Sequence, residues 1–258
     1  MDLSGKTALI TGSAKGLGKS TAVMLASYGC NIILNYVTSE DAAKALEAQI
    51  RSMGVNCIAL QADIADPEQA EQLADQAEEA FGGIDILINN AGPFIRERRV
   101  FSEYQRSEIT GLLHGNLLGV MLLDHRVLPL MRSRNWGRII HFGFGHAGEA
   151  RAWPHRAVYA AAKTGLVSFT KTLAVEEAAH GITVNMICPG DIRGENKEKT
   201  IDEVEGLIDD ESPRGRPGTG EDIARAICFL CDSKSDFITG NILDVTGGLD
   251  PIRRTLKG

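Results

Sequence analysis

No stretch of the 258 residues approaches the roughly 20 apolar positions that a membrane span needs, so no membrane partner is expected. The opening MDLSGKTALITG lacks a basic flank followed by a long apolar run, and no secretory signal is expected. Positive charge is not in excess. At a formal net charge of -7 the chain would repel nucleic-acid phosphate and anionic lipid, which argues against both as partners. Cysteine is too scattered for a disulfide framework: Cys30, Cys57, Cys188, Cys228 and Cys231 are odd in number and lie in apolar segments. Such usage suits buried thiols in a reducing compartment, so a cytoplasmic location is expected. Cys228 and Cys231 have a redox-like spacing, but the apolar helical pattern around them favours structural burial. His114, His125 and His180 show no metal-ligand clustering, and no metal is expected. Neither a Pro- or Ser-rich linker nor an internal repeat divides the chain.

What is present is strand–helix alternation. With 43% hydrophobic and 24% charged residues, the composition is that of an ordinary globular protein. Short aliphatic runs at 7–10, 31–35, 57–61, 84–88, 138–142, 183–187 and 241–245 are bounded by polar or glycine-containing stretches. Nearly continuous apolar runs of this length predict strands buried on both faces, as in a parallel sheet. Segments such as 39–53 and 67–81 carry Ala, Glu, Gln and Leu at helical spacing, with Pro67 near a helix start. The expected fold is therefore α/β: a Rossmann-type, doubly wound, mostly parallel seven-stranded sheet with helices on both faces, forming one domain over 1–258. The one compositional break, 193–220, is polar and charged. It reads either as a solvated loop or as a substrate lid.

Thr11-Gly12-Ser13-Ala14-Lys15-Gly16-Leu17-Gly18 follows the first strand and opens a helix. Glycines there permit a tight turn and close approach of backbone N–H groups to a pyrophosphate, while the helix N-terminus adds favourable partial charge. An acid at the end of the second strand would bond a ribose 2′-OH and favour NAD. The second strand instead ends Leu34-Asn35-Tyr36-Val37, with no acid until Glu40. Lys15 could meet a 2′-phosphate, so NADP(H) is the expected cofactor.

Tyr159 and Lys163 lie four apart on the helical pattern 158–172, so their side chains share one face. A free phenol has a pKa of about 10. An ammonium at about 4 Å, with an effective dielectric of about 20, would stabilise phenolate by roughly 4 kcal/mol. The expectation is a phenol lowered by about three units before desolvation opposes it, able to act as an acid or base.

In these motifs the chain resembles the short-chain dehydrogenase/reductase family, nearest its 3-oxoacyl-(acyl-carrier-protein) reductase-like members. The resemblance rests on the glycine loop, Asp63, Asn89-Asn90-Ala91-Gly92, Asn116, Tyr159-x-x-x-Lys163 and Pro189-Gly190, in that order over nearly the whole chain. It implies hydride transfer between NADP(H) and a small carbonyl or alcohol. It also implies a coenzyme cradle of Gly12, Lys15, Gly16, Leu17, Gly18, Asp63, Ile64, Asn90, Ala91, Gly92, Pro189, Gly190 and Ile192, joined by Tyr159 and Lys163. Within it, Asp63 bonds adenine, Lys163 holds the nicotinamide ribose, and Asn116 anchors a water in a proton relay. The segment from Ile238 to Gly248 resembles a C-terminal strand that commonly packs across a subunit interface, which implies a homotetramer or homodimer. Without the family, Asp63 would simply cap the helix near Pro67, and Asn89 and Asn90 would form an Asx turn.

One departure concerns the chemistry itself. The family carries a serine after the fifth strand to bind the substrate oxygen, yet no Ser or Thr occurs between Asn135 and Val158. Counting forward from Gly137 puts Phe144 in its place; counting back from Tyr159 puts His146 there. Losing such a donor typically costs about 10²–10³ in rate. His146, or else His141 or His155, is the expected surrogate donor. A second departure is Gly194 where the family often has Thr, with Asp191 an unexpected acid nearby. Arg96, Arg98 and Arg99 read as a solvated loop or as a greeting for an anionic substrate. The alternative function is a catalytically impaired NADP(H)-binding protein with a regulatory or assembly role.

Overall fold

Along each central strand, successive side chains enter two different cores. Ala8 and Ile10 join one hydrophobic cluster and Leu9 the other. The same division holds for Ile32 and Leu34 against Ile33, and for Ile86 and Ile88 against Leu87. A strand whose alternate residues face opposite sides of a sheet can be apolar throughout only if both sides are covered. The strands are β1 (Thr7–Ile10), β2 (Asn31–Tyr36), β3 (Cys57–Gln61), β4 (Ile86–Asn89), β5 (Gly137–Phe142), β6 (Ile182–Pro189) and β7 (Ile242–Val245). The helices are α1 (Gly16–Ser27), α2 (Glu40–Ser52), α3 (Pro67–Phe81), α4 (Arg106–Leu113), α5 (Gly119–Arg134), α6 (Ala157–Glu177) and α7 (Gly220–Cys231). The computed structural model describes residues 1–252; positions 253–258 of the expected domain lie outside the described residues.

All the strands form one sheet in the order β3-β2-β1-β4-β5-β6-β7, and every pairing is parallel. Residues of α1, α2 and α7 fill the cluster on one face, and residues of α3, α5 and α6 fill the other. Each buried Ile or Leu contributes about 1.5–3 kcal/mol, so these two cores carry most of the fold's stability. The expected doubly wound architecture is the observed one.

Local chemistry sets the element ends. Asp66, not Asp63, caps α3: its side chain accepts from the N–H groups of Glu68 and Gln69. Pro67 occupies the first turn, and Gly82 closes the helix with φ of 72°. All five cysteines are buried free thiols. Among the described residues no helix is long and apolar enough to cross a membrane, and no group of side chains could hold a metal.

Candidate active site

Strand order reverses between β1 and β4, and open α/β sheets bind ligands at the carboxyl end of such a switch point. The loops leaving these strands are tied together. Asn90 Nδ2 donates to the carbonyls of Thr11 (2.8 Å) and Gly12 (3.1 Å), and the Ala91 N–H donates to Thr11 Oγ1 (3.0 Å). Asn35, at the end of β2, accepts from the Gly12 N–H at 3.0 Å. Gly18 must lack a side chain: a Cβ there would lie 2.7 Å from Asn90 Nδ2 and 2.9 Å from the Gly12 carbonyl oxygen. Lys15 precedes α1 and is exposed. Asp63 bends its own backbone, its carboxylate accepting from the Ala65 N–H at 2.9 Å. Ile64 and Ile192 are buried, and Ile192 lines the cavity described next.

A cavity of about 800 Å³ opens where these loops meet the N-terminal half of α6. Leu17, Asn90, Gly92, Pro189 and Gly190 line it together with Asn116, Tyr159 and Lys163. Asn116 reaches the cavity from a π-helical turn, His114–Leu118, that interrupts the run from α4 to α5. Such turns recur at functional sites because the extra residue re-aims a side chain. Asn116 Nδ2 donates to the carbonyls of Pro93 (2.8 Å) and Leu112 (3.0 Å), while its buried Oδ1 has no protein partner. A Cβ on Gly92 would lie 2.4 Å from that Oδ1 and 3.5 Å from Lys163 Nζ, so both groups converge beside this glycine. An orphaned acceptor of this kind calls for a bound water or ligand.

Lys163 Nζ lies 6.0 Å from the centre of the Tyr159 ring. Burial takes the Lys163 ammonium down to about 8 and pushes the Tyr159 phenol well above its ordinary value. The expected lowering of the phenol is thus reversed. Both groups are taken out of water, and desolvation penalises their charged forms.

Of Phe144 and His146, it is Phe144 whose ring lies beside Tyr159, at 6.0 Å between centroids. His146 is turned away. It adopts φ of 67°, its N–H donates to Asp244 Oδ1, and its Nδ1 sits 2.8 Å from Glu149 Oε1. Phe144 lines the cavity and His146, the expected surrogate donor, does not. His141 is no substitute, being fully buried between Asp124 Oδ2 and Thr170 Oγ1 at 2.7 Å each. Asp124 also accepts from Asn89 Nδ2 at 2.8 Å, so this network anchors the Asn-Asn-Ala-Gly turn from below. His155 gives its carbonyl to Tyr104 and Arg156, and its ring does not line the cavity.

The segment 193–220 is held down by charge. Arg193 bridges Asp191 and Glu211, and Arg216 pairs with both oxygens of Asp222. Its turn at Gly194–Lys197 rests on α1, with Ser20 Oγ donating to the Lys197 carbonyl at 2.9 Å. Glu198 then accepts from the Gly16 N–H and from Lys19 Nζ, each at 2.7 Å. A protein carboxylate thereby occupies the anion-favouring N-terminus of α1.

A family model described as enoyl-(acyl carrier protein) reductase matches residues 12–250. The chain belongs to the short-chain dehydrogenase/reductase family. It is 45% identical over 248 residues to YtkK of Bacillus subtilis (strain 168), named an oxidoreductase, covering 96% of this chain and 97% of that one. It is 38% identical over 249 residues to the 3-oxoacyl-[acyl-carrier-protein] reductase FabG of Haemophilus influenzae, covering 96% and 99%. A solved Bacillus thuringiensis structure described as a 3-oxoacyl-reductase superposes with a TM-score of 0.89 at 45% identity, covering 96% of this chain and 99% of that one. This short-chain dehydrogenase/reductase is an oxidoreductase enzyme.

Of the residues expected at its site, Leu17, Asn90, Gly92, Asn116, Tyr159, Lys163, Pro189, Gly190 and Ile192 share the cavity wall, whereas Gly12, Lys15, Gly16, Gly18, Asp63, Ile64, Ala91 and His146 do not. Sequence reasoning missed Phe94, Trp153 and Arg156, which line the same cavity. Trp153 and Arg156 lie between the fifth strand and Tyr159, and their closeness to that tyrosine was the one available signal.

Proposed function

We propose that this enzyme reduces a small carbonyl compound with NADP(H), in the manner of the 3-oxoacyl-reductases it is similar to, with Tyr159 as the acid. The observation that carries the reading is the cavity itself, which sets Tyr159, Lys163 and the orphaned Asn116 Oδ1 beside the tied loops of the switch point. The residues present suit a nicotinamide dinucleotide: Gly18 and Gly190 let the loops close on their neighbours, where a Cβ would lie 2.7 Å from Asn90 Nδ2 and 2.9 Å from Thr246 Cα, and a cavity of about 800 Å³ lined by Leu17 and Gly190 opens beside them, with the buried Asn116 Oδ1 lacking a protein partner. When bound, the nicotinamide supplies hydride. Tyr159 gives its phenolic proton to the carbonyl oxygen as negative charge develops there. The burial that raises this phenol keeps it protonated at neutral pH, the form an acid needs. Lys163 adds positive charge beside the hydroxyl and a hold on the ribose. Asn116 Oδ1 accepts from a water that returns the proton through Lys163.

NADP(H) is proposed over NAD(H) because Lys15 is exposed at the start of α1 and no acid ends β2. Further copies of the chain, as a homotetramer or homodimer, are the proposed assembly. Loss of absorbance by NADPH and NADH, measured against ketones, β-keto thioesters and sugars, tests the reading; turnover with NADPH preferred is expected. A second reading is favoured by Phe144, which offers no hydrogen bond where a donor is needed: a coenzyme-binding protein with impaired catalysis. Tight NADPH binding without turnover across the whole panel would select it.

A further inference from the structure

Beyond Tyr159 the cavity is walled by aromatic rings. Phe94 meets the Tyr159 ring edge-on at 4.9 Å, Trp153 lies at 6.1 Å and 73° to it, and Phe144 and Trp153 pack at 4.6 Å. Phe144 cannot hold a carbonyl oxygen, so of the two donors the family resemblance implies, only Tyr159 remains. Orientation of the substrate then has to come from shape. Aromatic walls fix a flat ring through offset and edge contacts, but they give a flexible acyl chain no single pose, and ordering each of its torsions opposes binding.

The same wall carries a charge. Arg156 is only 7% exposed, lines the cavity, and lies over the Phe94 ring at 5.0 Å. Its bonds run to the carbonyls of Glu97 (2.7 Å), His155 (2.9 Å) and Arg96 (2.8 Å). Among the described residues no carboxylate pairs with it, in contrast to Arg99, whose guanidinium grips Glu108 at 2.7 and 3.1 Å. A guanidinium has five N–H groups, so donors remain beyond these three bonds, and a buried cation without a counter-charge favours an anionic ligand. Arg156 also sits three residues before Tyr159, one turn away where α6 begins.

We propose that the substrate is an aryl ketone bearing a carboxylate: its ring lies among Phe94, Phe144 and Trp153, its carbonyl meets Tyr159, and its carboxylate meets Arg156. This rests on the carbonyl-reduction reading and narrows it. The test is calorimetric titration of the protein, with NADP⁺ present to prevent turnover, using 4-oxo-4-phenylbutanoate and its methyl ester. The acid is expected to bind at least about tenfold more tightly than the ester, the range of a charge-assisted hydrogen bond. Arg156→Met should remove that advantage, Arg156→Lys should keep part of it, and ester affinity should be the same in all three proteins. Equal binding of acid and ester to the unaltered protein overturns the proposal without recourse to any variant. Equal losses for acid and ester in Arg156→Met overturn it too, marking Arg156 as only a prop for the 96–97 backbone. NADPH oxidation is then followed with the acid and with an acetoacetyl thioester. A bound acid with neither compound reduced refutes carbonyl reduction while the ligand assignment stands; thioester turnover with no acid binding refutes the ligand assignment alone.

Discussion

The two halves of the cavity obey different rules. On the proposed coenzyme side, polar contacts are numerous and backbone-directed: Asn90, Thr11 and Asn35 lock the loops, and glycines mark where no side chain fits. On the proposed substrate side, rings replace hydrogen bonds, and among the described residues the buried Arg156 guanidinium is held by carbonyls alone. Glycines on the coenzyme side stand where a Cβ would strike the facing loop, so it tolerates little change. A substrate pocket answers to one ligand and can exchange a hydroxyl for a phenyl ring while the sheet beneath stays unaltered.

The largest expected effect falls where the halves meet. Lys163→Met should abolish turnover and yet raise thermal stability by several degrees at pH 7. Lys163 titrates near 8 in the folded protein against 10.5 unfolded, so the folded state holds a disfavoured charge. At about 1.4 kcal/mol per unit this penalty is on the order of 3 kcal/mol. It is fully present below pH 8 and is relieved as pH rises toward 10.5, so calorimetric melting at pH 7 and pH 10.5 should show the variant's advantage disappear. Next in size, Phe144→Ser restores a donor at the cost of a buried ring. Turnover of an acetoacetyl thioester should rise about tenfold or more, while binding of 4-oxo-4-phenylbutanoate weakens. A rise for both substrates alike would erase the contrast between the halves. The smallest effect belongs to the coenzyme side: Glu198→Gln removes a carboxylate from the Gly16 N–H and should tighten NADPH about two- to fivefold by fluorescence titration.

The sheet was legible because its signal is one-dimensional: aliphatic runs at strand length, separated by helical spacing. Boundaries moved by a residue or two, as with β6, which extends to Pro189 rather than ending at 187. Tyr159, Lys163 and Asn116 were legible because local spacing and motif order carry them. Phe144 and His146 were not separable, since the loop between β5 and α6 has no periodicity; only the left-handed turn at His146 turns its ring toward Glu149 and leaves Phe144 at the wall. The direction of the Tyr159 shift was misjudged for a related reason. Spacing along a helix puts Lys163 near Tyr159, whereas the burial of the phenol depends on rings that helical spacing does not place: Phe94 after β4, and Phe144 and Trp153 in the loop between β5 and α6.

Everything chemical here depends on one hydroxyl being the proton donor at a seated coenzyme. Tyr159→Phe deletes that oxygen and leaves the ring in its aromatic surroundings, so NADPH affinity and single-turnover reduction of a carbonyl substrate should be measured on the same preparation. An unchanged dissociation constant with the rate down by about 10²–10⁴ is the outcome this mechanism requires. Reduction at an undiminished rate would contradict it.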